Sequence, residues 1–227
     1  MTLKWSDIPG WFDWHDLYDE VAMTTPTGSV VVEVGVAFGR SLLYLAEKIA
    51  ETGKQIQLIA VDRWEPYQEA SFIWNESADM PQSERAAYEY AAKHNGIFAA
   101  FLHNLYHSGH ANRVSVVRMD SVQAAQSFLA AGIRPHFVFV DAAHDYENVK
   151  RDIDAWWETG PEWMAGHDYN RGSDIHFPGV WKAVDEKFAG GNPERVKQDI
   201  EWRGQTCWAV RRSHLERPNR LAAISRD

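Results

Sequence analysis

Hydrophobic residues first form a nearly unbroken run at Ser29–Gly35, where SVVVEVG is dominated by β-branched side chains. Such a run is typical of a strand buried on both faces, as in a parallel sheet. After a glycine turn, apolar residues recur at the spacing of an amphipathic helix, at Leu42, Leu45, Ala46 and Ile49. A second apolar strand, Ile56–Asp62, follows the polar segment ETGKQ and completes a strand, helix, strand unit.

The same alternation resumes after residue 112. Strands are predicted at Arg113–Met119, His136–Asp141 and Trp163–Gly166, and helices at Ser121–Ala131, Tyr146–Trp157 and Pro178–Phe188. The segments Val196–Trp202 and Gln205–Arg211 alternate around a turn, which predicts an antiparallel hairpin at the sheet edge. The order predicts an α/β fold: a doubly wound, seven-stranded, mostly parallel, Rossmann-like sheet with an antiparallel C-terminal hairpin.

Helical patterns flank and interrupt this sheet. Residues 1–28 precede the first strand and are predicted to form an N-terminal helical cap. Residues 64–112 carry patterns such as SERAAYEYAAKH and IFAAFLHNLYH, which predict a helical insertion or lid. The length of 227 residues suits one sizeable core, so the whole chain, 1–227, is predicted to be a single domain.

The net charge of −9 argues against nucleic acid as the main partner, because that affinity comes from clustered lysines and arginines. No apolar run approaches the length needed to cross a bilayer, and the first residues lack the pattern of a secretory signal. The single cysteine, Cys207, cannot form an internal disulfide, which fits a reducing compartment. We therefore expect a cytoplasmic protein without membrane partners. Its tryptophan-bearing N-terminal flank is a candidate contact surface for a homo-oligomer.

Acidic residues stand where the predicted parallel strands end, which is where ligands bind in open α/β sheets. These residues are Glu33, Asp62, Asp120, Asp141 and Asp168. Solvation alone does not explain an acid at every strand end. The pattern therefore predicts a polar binding site along this edge.

The loop after the first strand, with Gly35 and Gly39 four residues apart, helps to choose between kinds of nucleotide. Ala37 stands where a dinucleotide fold would have the glycine that lets the backbone approach a pyrophosphate. Asp62 can accept hydrogen bonds from both hydroxyls of a ribose. A nucleoside without phosphates fits both observations, although a tight strand-to-helix connection explains the glycines equally well.

Four segments together resemble the successive motifs of class I methyltransferases that depend on S-adenosylmethionine (SAM). They are VVVEVGVAFGRSLLYLAE, LIAVDRWEP, VRMDSVQAA and FVFVDAAHDYENVKRDIDAWW. The last segment, with GHDYN and PGVWKAVDE after it, is similar to the subgroup that includes metal-dependent O-methyltransferases of small molecules and macrolide sugars. The resemblance covers roughly Val30 to Phe188 and implies SAM as the cofactor.

The resemblance also assigns cofactor-binding roles. It places the methionine part of SAM at Glu33, Gly35, Gly39 and Ser41, the ribose at Asp62, the adenine near Arg63, Trp64, Asp120 and Ser121, and the sulfonium near Asp141. Ser121 is equally well placed to be the N-cap of the helix that follows, and the two roles are compatible.

The predicted chemistry rests on Asp141, His144 and Asp168. Carboxylates at the ends of neighbouring parallel strands can approach one another, and oxygen ligands of that kind suit Mg²⁺ or another divalent ion. A metal held by Asp141 and Asp168 would lower the pKa of a bound hydroxyl, while His144 would remove its proton as general base. Two plainer interpretations stay open: Asp141 contacts only SAM, and His144 bonds to the backbone at a helix start.

The residue beside Asp168 is His167, whereas the metal-dependent relatives have an acidic residue there. The ligand set therefore differs here from the one that the resemblance implies. Asn170 and His176 are candidates to complete it.

Three functions are compatible with these features. The first is SAM-dependent methylation of a hydroxyl on a small molecule such as a sugar, a phenol or a secondary metabolite. DNA methylation is disfavoured because VDAAHDY, and not Asn-Pro-Pro-Tyr or Asp-Pro-Pro-Tyr, follows the fourth strand. The alternatives are a nucleotide-dependent oxidoreductase on a similar sheet and a non-catalytic binding protein with this fold.

Overall fold

The computed structural model of the chain describes residues 2–65, 82–170, 177–203 and 206–215. In these ranges the strands are β1 Val30–Val34, β2 Gln57–Asp62, β3 Val114–Arg118, β4 Phe137–Val140, β5 Trp163–Gly166, β6 Glu201–Arg203 and β7 Cys207–Arg211. The helices are α1 His15–Thr24, α2 Arg40–Thr52, α3 Gln82–Lys93, α4 Ile97–His107, α5 Ser121–Ala131, α6 Tyr146–Glu158, α7 Pro178–Ala189, α8 Pro193–Asp199 and α9 Arg212–Leu215. Short 3-10 turns lie at Trp5–Asp7 and Ala111–Arg113.

The seven strands form one sheet in the order β3-β2-β1-β4-β5-β7-β6. β1 pairs in parallel with β2 and β4, with Val34 opposite Val61 on one side and Val140 on the other. β7 is antiparallel to both of its neighbours, β5 and β6. The doubly wound fold class is therefore confirmed, and the chain order reverses between β1 and β4, where such sheets open a ligand crevice.

Strand β1 explains why the sequence has a nearly continuous apolar run here. Successive side chains point to opposite faces of the sheet, and both faces are covered by helices. Val31 packs on one face in a cluster with α1, α2 and α4, and Val32 on the other in a cluster with α5, α6 and α7. Both valines are 1% exposed or less.

The strand predicted at Val196–Trp202 is wrong over most of its length, because residues 193–199 form helix α8. The side chain of Asn192 caps this helix by accepting a hydrogen bond from the backbone N–H of Glu194 at 2.9 Å. Pro193 suits the first helical position, where no donor is required. The strand pattern survives only at β6, and Gln205, predicted to begin the last strand, lies outside the described residues.

Helix α1 precedes β1, and α3 and α4 occupy part of the region predicted as a helical insertion. Residues 66–81 of that region lie outside the described ranges, and its role as a lid stays a prediction. Among the described residues, no helix combines the length and the apolar character needed to cross a membrane.

Candidate active site

The loops after β1 and β4 cross at Gly35. This residue has a φ of 86°, and a Cβ built on it would lie 1.9 Å from the backbone oxygen of Asp141. No other residue fits without moving one of the two loops. The crossing places the glycine turn of the first loop directly beside the end of β4, as the predicted crevice requires.

Glu33 is buried beneath this crossing, with 2% of its surface exposed. One carboxylate oxygen accepts a hydrogen bond from the Tyr18 hydroxyl and the other from the Ser41 hydroxyl, both at 2.6 Å. Burial raises the pKa of Glu33 to about 7, although the two hydrogen bonds oppose the shift. The structure thus brings together Glu33 and Ser41, both predicted to shape the methionine site, but as a pair bonded to each other.

Asp62 organises the backbone of two loops. Its carboxylate oxygens accept hydrogen bonds from the backbone N–H groups of Ala37 at 2.9 Å and Trp64 at 2.7 Å. Ala37 and Trp64 both adopt positive φ values, 48° and 44°, which are costly for residues other than glycine. Burial raises the pKa of Asp62 above its ordinary value, although the surrounding N–H groups oppose the rise. A carboxylate oxygen can accept more than one hydrogen bond, so Asp62 still suits a ribose hydroxyl.

The two residues after Asp62 lie in different surroundings. Trp64 is 4% exposed, stacks on Phe101 with ring centroids 4.7 Å apart, and donates from its indole nitrogen to the Ala37 carbonyl at 2.8 Å. Arg63 is exposed and pairs with Glu65. Of Arg63 and Trp64, Arg63 is therefore the one that reaches the open edge of the sheet.

Asp120, not Ser121, is the N-cap of helix α5. Its carboxylate accepts from the backbone N–H groups of Val122 at 3.0 Å and Gln123 at 3.3 Å, so the N-cap role predicted for Ser121 is wrong. The hydroxyl of Ser121 instead accepts from the indole of Trp156 at 3.0 Å. An open cavity of about 610 Å³ lies at this edge, and its lining includes Arg63, Arg118, Met119 and Asp120.

Two acids and two imidazoles meet at the ends of β4 and β5. The Nε2 atom of His144 lies 3.0 Å from Oδ2 of Asp168. The Nδ1 atom of His167 lies 3.3 Å from the same oxygen and 4.0 Å from Oδ1 of Asp141. The four side chains are between 14% and 28% exposed, so they line a partly open site.

Burial, hydrogen bonds and charges within this cluster shift the pKa values of its acids and of His167. Burial raises the pKa of Asp141 to about 6, and the nearby His167 and His144 limit the rise. Burial lowers the pKa of His167, but the hydrogen bond to Asp168 and the charges of the surrounding acids outweigh it and raise the value to about 9. Hydrogen bonds from both imidazoles hold the pKa of Asp168 well below its usual range despite burial.

Asp168 is also strained, with a φ of 58° in the left-handed region. A non-glycine residue in this conformation costs about 1 kcal/mol or more, and such residues cluster at functional sites. The ring of His144 stacks on Phe177 with centroids 4.1 Å apart, which restricts the orientation of the imidazole. Backbone and packing together therefore hold the His144 and Asp168 pair.

Sequence reasoning missed the residues that support His167. Asp13 and Thr206 both contact its Nε2 atom, although Asp13 lies 154 positions away in the chain. No motif links such distant residues, so only the fold reveals them. Of the residues proposed to complete a ligand set, the backbone N–H of Asn170 donates to the Asp168 carbonyl at 2.9 Å, and His176 lies outside the described residues.

Comparison with known proteins then decides the family. The sequence profile of a methyltransferase domain matches residues 32–169, more than half of the chain. The chain belongs to the methyltransferase domain family. No curated protein sequence matches significantly. The resemblance to class I SAM-dependent methyltransferases is thereby confirmed, and the alternative of an oxidoreductase finds no support.

Solved structures place this methyltransferase domain among proteins of the same fold. The O-methyltransferase NovP aligns with a TM-score of 0.57 and 12% identity over 87% of this chain and 77% of its own. Cofactor-bound Rv0187 from MTB aligns with a TM-score of 0.54 and 15% identity over 91% of this chain and 84% of its own. CalS11, a TDP-rhamnose 3'-O-methyltransferase of calicheamicin biosynthesis, aligns with a TM-score of 0.52 and 14% identity over 87% of this chain and 77% of its own. At these identities the likeness concerns the fold alone.

Proposed function

We propose that this methyltransferase domain transfers the methyl group of SAM to a hydroxyl of a small molecule. The observation that carries the proposal is the His144 and Asp168 pair, 3.0 Å apart, beside Asp141 at the end of β4. A histidine oriented by a carboxylate is the arrangement of a general base for a hydroxyl. NovP and CalS11 are both described as O-methyltransferases, which is consistent with this chemistry.

The residues at the cofactor side fit SAM. Asp62 is a carboxylate that can accept hydrogen bonds from ribose hydroxyls, and Asp141 offers a partly exposed carboxylate to the positive sulfonium. The open, mostly polar depression beside Asp120 and Arg63, of about 610 Å³, has room for an adenine ring. We assign the ribose to Asp62 and the adenine to this cavity. Glu33 and Ser41 then support the methionine end through the loop that they hold.

The residues at the catalytic side also fit a divalent ion. Asp141 and Asp168 offer oxygen ligands, and together with His167 they place ligand atoms within 4.8 Å of one another. A bound ion would supply Lewis acidity that favours the deprotonated form of an acceptor hydroxyl. His144 would receive the proton at Nδ1, the ring nitrogen that does not face Asp168, while Asp168 holds the hydrogen on Nε2 and so the ring. The remaining work of the protein is to align the acceptor oxygen with the methyl carbon.

The net charge of the protein helps to decide which class of molecule accepts the methyl group. A structural neighbour is described as a putative rRNA-methylase from Clostridium thermocellum, with a TM-score of 0.53 and 12% identity over 89% of this chain and 98% of its own. The net charge of −9 opposes RNA binding, so we keep a small hydroxyl compound as the acceptor. The cytoplasmic location and a homo-oligomeric state remain proposals.

Calorimetric titration of S-adenosylhomocysteine tests the cofactor assignment. We expect binding to the wild type and an affinity at least about 10-fold lower for Asp62→Asn, because one charge-assisted hydrogen bond to the ribose is worth about 1.5–3 kcal/mol. Asp154→Asn is the matched control, since Asp154 pairs with Lys187 on the outer face of α6. Absence of binding to the wild type would overturn the proposal.

A further inference from the structure

His167 turns one ring nitrogen toward the two acids of the catalytic cluster. Its Nδ1 atom lies 3.3 Å from Oδ2 of Asp168 and 4.0 Å from Oδ1 of Asp141. Ligands around one ion with bond lengths of about 2.1 Å lie about 3 to 4 Å apart. The distances from His167 to both acids therefore fit a single small ion, and all three ligand atoms lie within 4.8 Å of one another.

The other nitrogen of His167 is held from behind. Nε2 lies 2.7 Å from the hydroxyl oxygen of Thr206 and 3.3 Å from a carboxylate oxygen of Asp13. The ring of Trp14 packs against the imidazole with centroids 4.6 Å apart, and His167 is only 14% exposed. Because Nε2 keeps these partners, an ion bound at Nδ1 would displace only the hydrogen that Nδ1 shares with Asp168. Proteins commonly orient a metal-ligating histidine with such a carboxylate.

A second group of potential ligands shares His167, but it is the poorer one. Asp13, His167 and Cys207 also place their ligand atoms within 4.8 Å of one another. Cys207 is 1% exposed, so its sulfur is less accessible to an ion than the partly exposed carboxylates of Asp141 and Asp168. The ion is therefore expected on the Nδ1 side of His167, between the two aspartates.

An imidazole donor changes which metal this site prefers. Mg²⁺ selects oxygen ligands in an octahedral shell, whereas imidazole nitrogen suits Fe²⁺, Co²⁺, Ni²⁺ and Zn²⁺. One nitrogen and two carboxylates form a mixed donor set of the second kind. Such a set departs from the all-oxygen environment that a magnesium-dependent enzyme needs.

We propose that Asp141, Asp168 and Nδ1 of His167 bind a first-row transition-metal ion such as Fe²⁺, Co²⁺ or Zn²⁺ in preference to Mg²⁺, with Asp13 as the positioning residue for His167. The inference rests on the metal-assisted form of the proposed function and deepens it by naming the class of metal. It also explains why an exposed acid of the N-terminal segment reaches the catalytic side of the sheet.

Metal titration of the chelator-treated full chain tests the ligand role of His167. Co²⁺ and Mg²⁺ are titrated separately into the wild type, His167→Asp and His144→Gln. We expect His167→Asp to lower the Co²⁺ affinity about 10- to 100-fold without weakening Mg²⁺ binding, and His144→Gln to leave the ratio of the two affinities unchanged. An unchanged ratio in His167→Asp, or no Co²⁺ binding to the wild type, would overturn the proposal.

Proton NMR of the Co²⁺ protein gives a readout that does not depend on activity. A ligating imidazole with a hydrogen on Nε2 produces an exchangeable resonance shifted by the paramagnetic ion. We expect this resonance in the wild type and in His144→Gln, and its loss in His167→Asp. Its absence from the wild type would contradict ligation through Nδ1.

Asp13→Asn tests the positioning role, with Asp16→Asn as the matched control of equal charge change in the same exposed segment. Asp13 is 49% exposed, so we expect a loss of Co²⁺ affinity of about 10-fold, the lower end of the range for such supporting carboxylates. The shifted Nε2–H resonance should move in Asp13→Asn and not in Asp16→Asn. Equal results for the two variants would remove Asp13 from the proposal.

Titration of S-adenosylhomocysteine into the same preparations separates the two proposals. If the wild type binds the cofactor and His167→Asp binds Co²⁺ as tightly as the wild type, the metal inference is overturned and the methyltransferase function stands. Co²⁺ binding that depends on His167 without any cofactor binding would support the metal site and overturn the proposed function.

Discussion

Acidic residues end the strands on both sides of the switch point between β1 and β4, but their surroundings differ. In the cofactor half, the ends of β1, β2 and β3, the carboxylates of Glu33, Asp62 and Asp120 accept hydrogen bonds from donors of the protein itself. In the catalytic half, the ends of β4 and β5, Asp141 and Asp168 face imidazole rings and are partly exposed. Acidic residues therefore bind hydroxyl and backbone N–H donors in one half and face titratable imidazoles in the other.

This difference suggests a division of work across the crevice. Carboxylates satisfied by N–H and O–H groups hold loops in conformations that are otherwise unfavourable, as Asp62 does for Ala37 and Trp64. Carboxylates beside imidazoles can exchange a proton or a cation without losing all their partners. The rigid half gives the reactive half a fixed frame. Changes in the first half should alter stability and cofactor binding, and changes in the second should alter chemistry.

The largest effect is expected where the two halves touch. Gly35→Ala places a Cβ 1.9 Å from the Asp141 carbonyl in a backbone with a φ of 86°, so the two loops must separate. We expect a loss of about 4 kcal/mol or more in the free energy of unfolding, measured by urea denaturation. Gly28→Ala is the control, because Gly28 has a φ of 83° and no atom within 4 Å of its added Cβ. This control should lose only the roughly 1–2 kcal/mol of left-handed strain. Similar losses in the two variants would show that the crossing is not tightly packed.

The sequence predicts the sheet of this fold but not the contact between its loops at Gly35. Alternating apolar strands and amphipathic helices were enough to predict the doubly wound sheet, since both patterns follow from burial on two faces. The error at Val196–Trp202 arose because Val196, Ile200 and Trp202 alternate like a strand, while Asn192 and Pro193 set a helix start that decides the structure. Local capping overrode a short periodic pattern.

The candidate site was predictable only in part. Strand ends are visible in the sequence, so Asp62, Asp141 and Asp168 could be placed at one edge beforehand. Hydrogen-bond partners were not visible: Tyr18 reaches Glu33 from α1, and Asp13 reaches His167 from the N-terminal segment. These contacts depend on how the N-terminal helix docks, which no spacing rule encodes.

The next effect concerns chemistry in the catalytic half. His144→Gln removes the proposed base and should lower kcat about 10²- to 10⁴-fold, the usual contribution of general base catalysis. Because the ring is only partly buried and lies outside the cofactor half, the melting temperature and the affinity for S-adenosylhomocysteine should stay nearly unchanged. The measurement is S-adenosylhomocysteine release with an acceptor found by screening sugars and phenols.

His103→Gln provides the comparison for this variant, since His103 lies on the exposed side of α4 among other histidines. Its kcat should equal that of the wild type. If His144→Gln also retained full turnover, the base would have to be sought elsewhere in the cluster.

The smallest predicted effect concerns Glu33 in the cofactor half and the dependence of stability on pH. The folded protein raises the pKa of Glu33 to about 7 from an ordinary value of 4.5, so between these values it binds a proton that the unfolded chain has lost. Stability from this group is therefore present below pH 4.5 and decreases as the pH rises to about 7, by at most about 3 kcal/mol. Glu33→Gln carries no charge and escapes this loss.

We expect Glu33→Gln to be about 1 kcal/mol less stable than the wild type near pH 5, because its amide nitrogen brings two hydrogens to the place where the protonated carboxyl has one. Near pH 8 the order should reverse, with the variant about 2 kcal/mol more stable. Thermal denaturation across this range gives the two curves, and Glu51→Gln, at an exposed glutamate of α2, should follow the wild type throughout. Parallel curves for Glu33→Gln and the wild type would mean that Glu33 is charged in the folded protein, and the cofactor half would then hold its carboxylates as anions, as the catalytic half does.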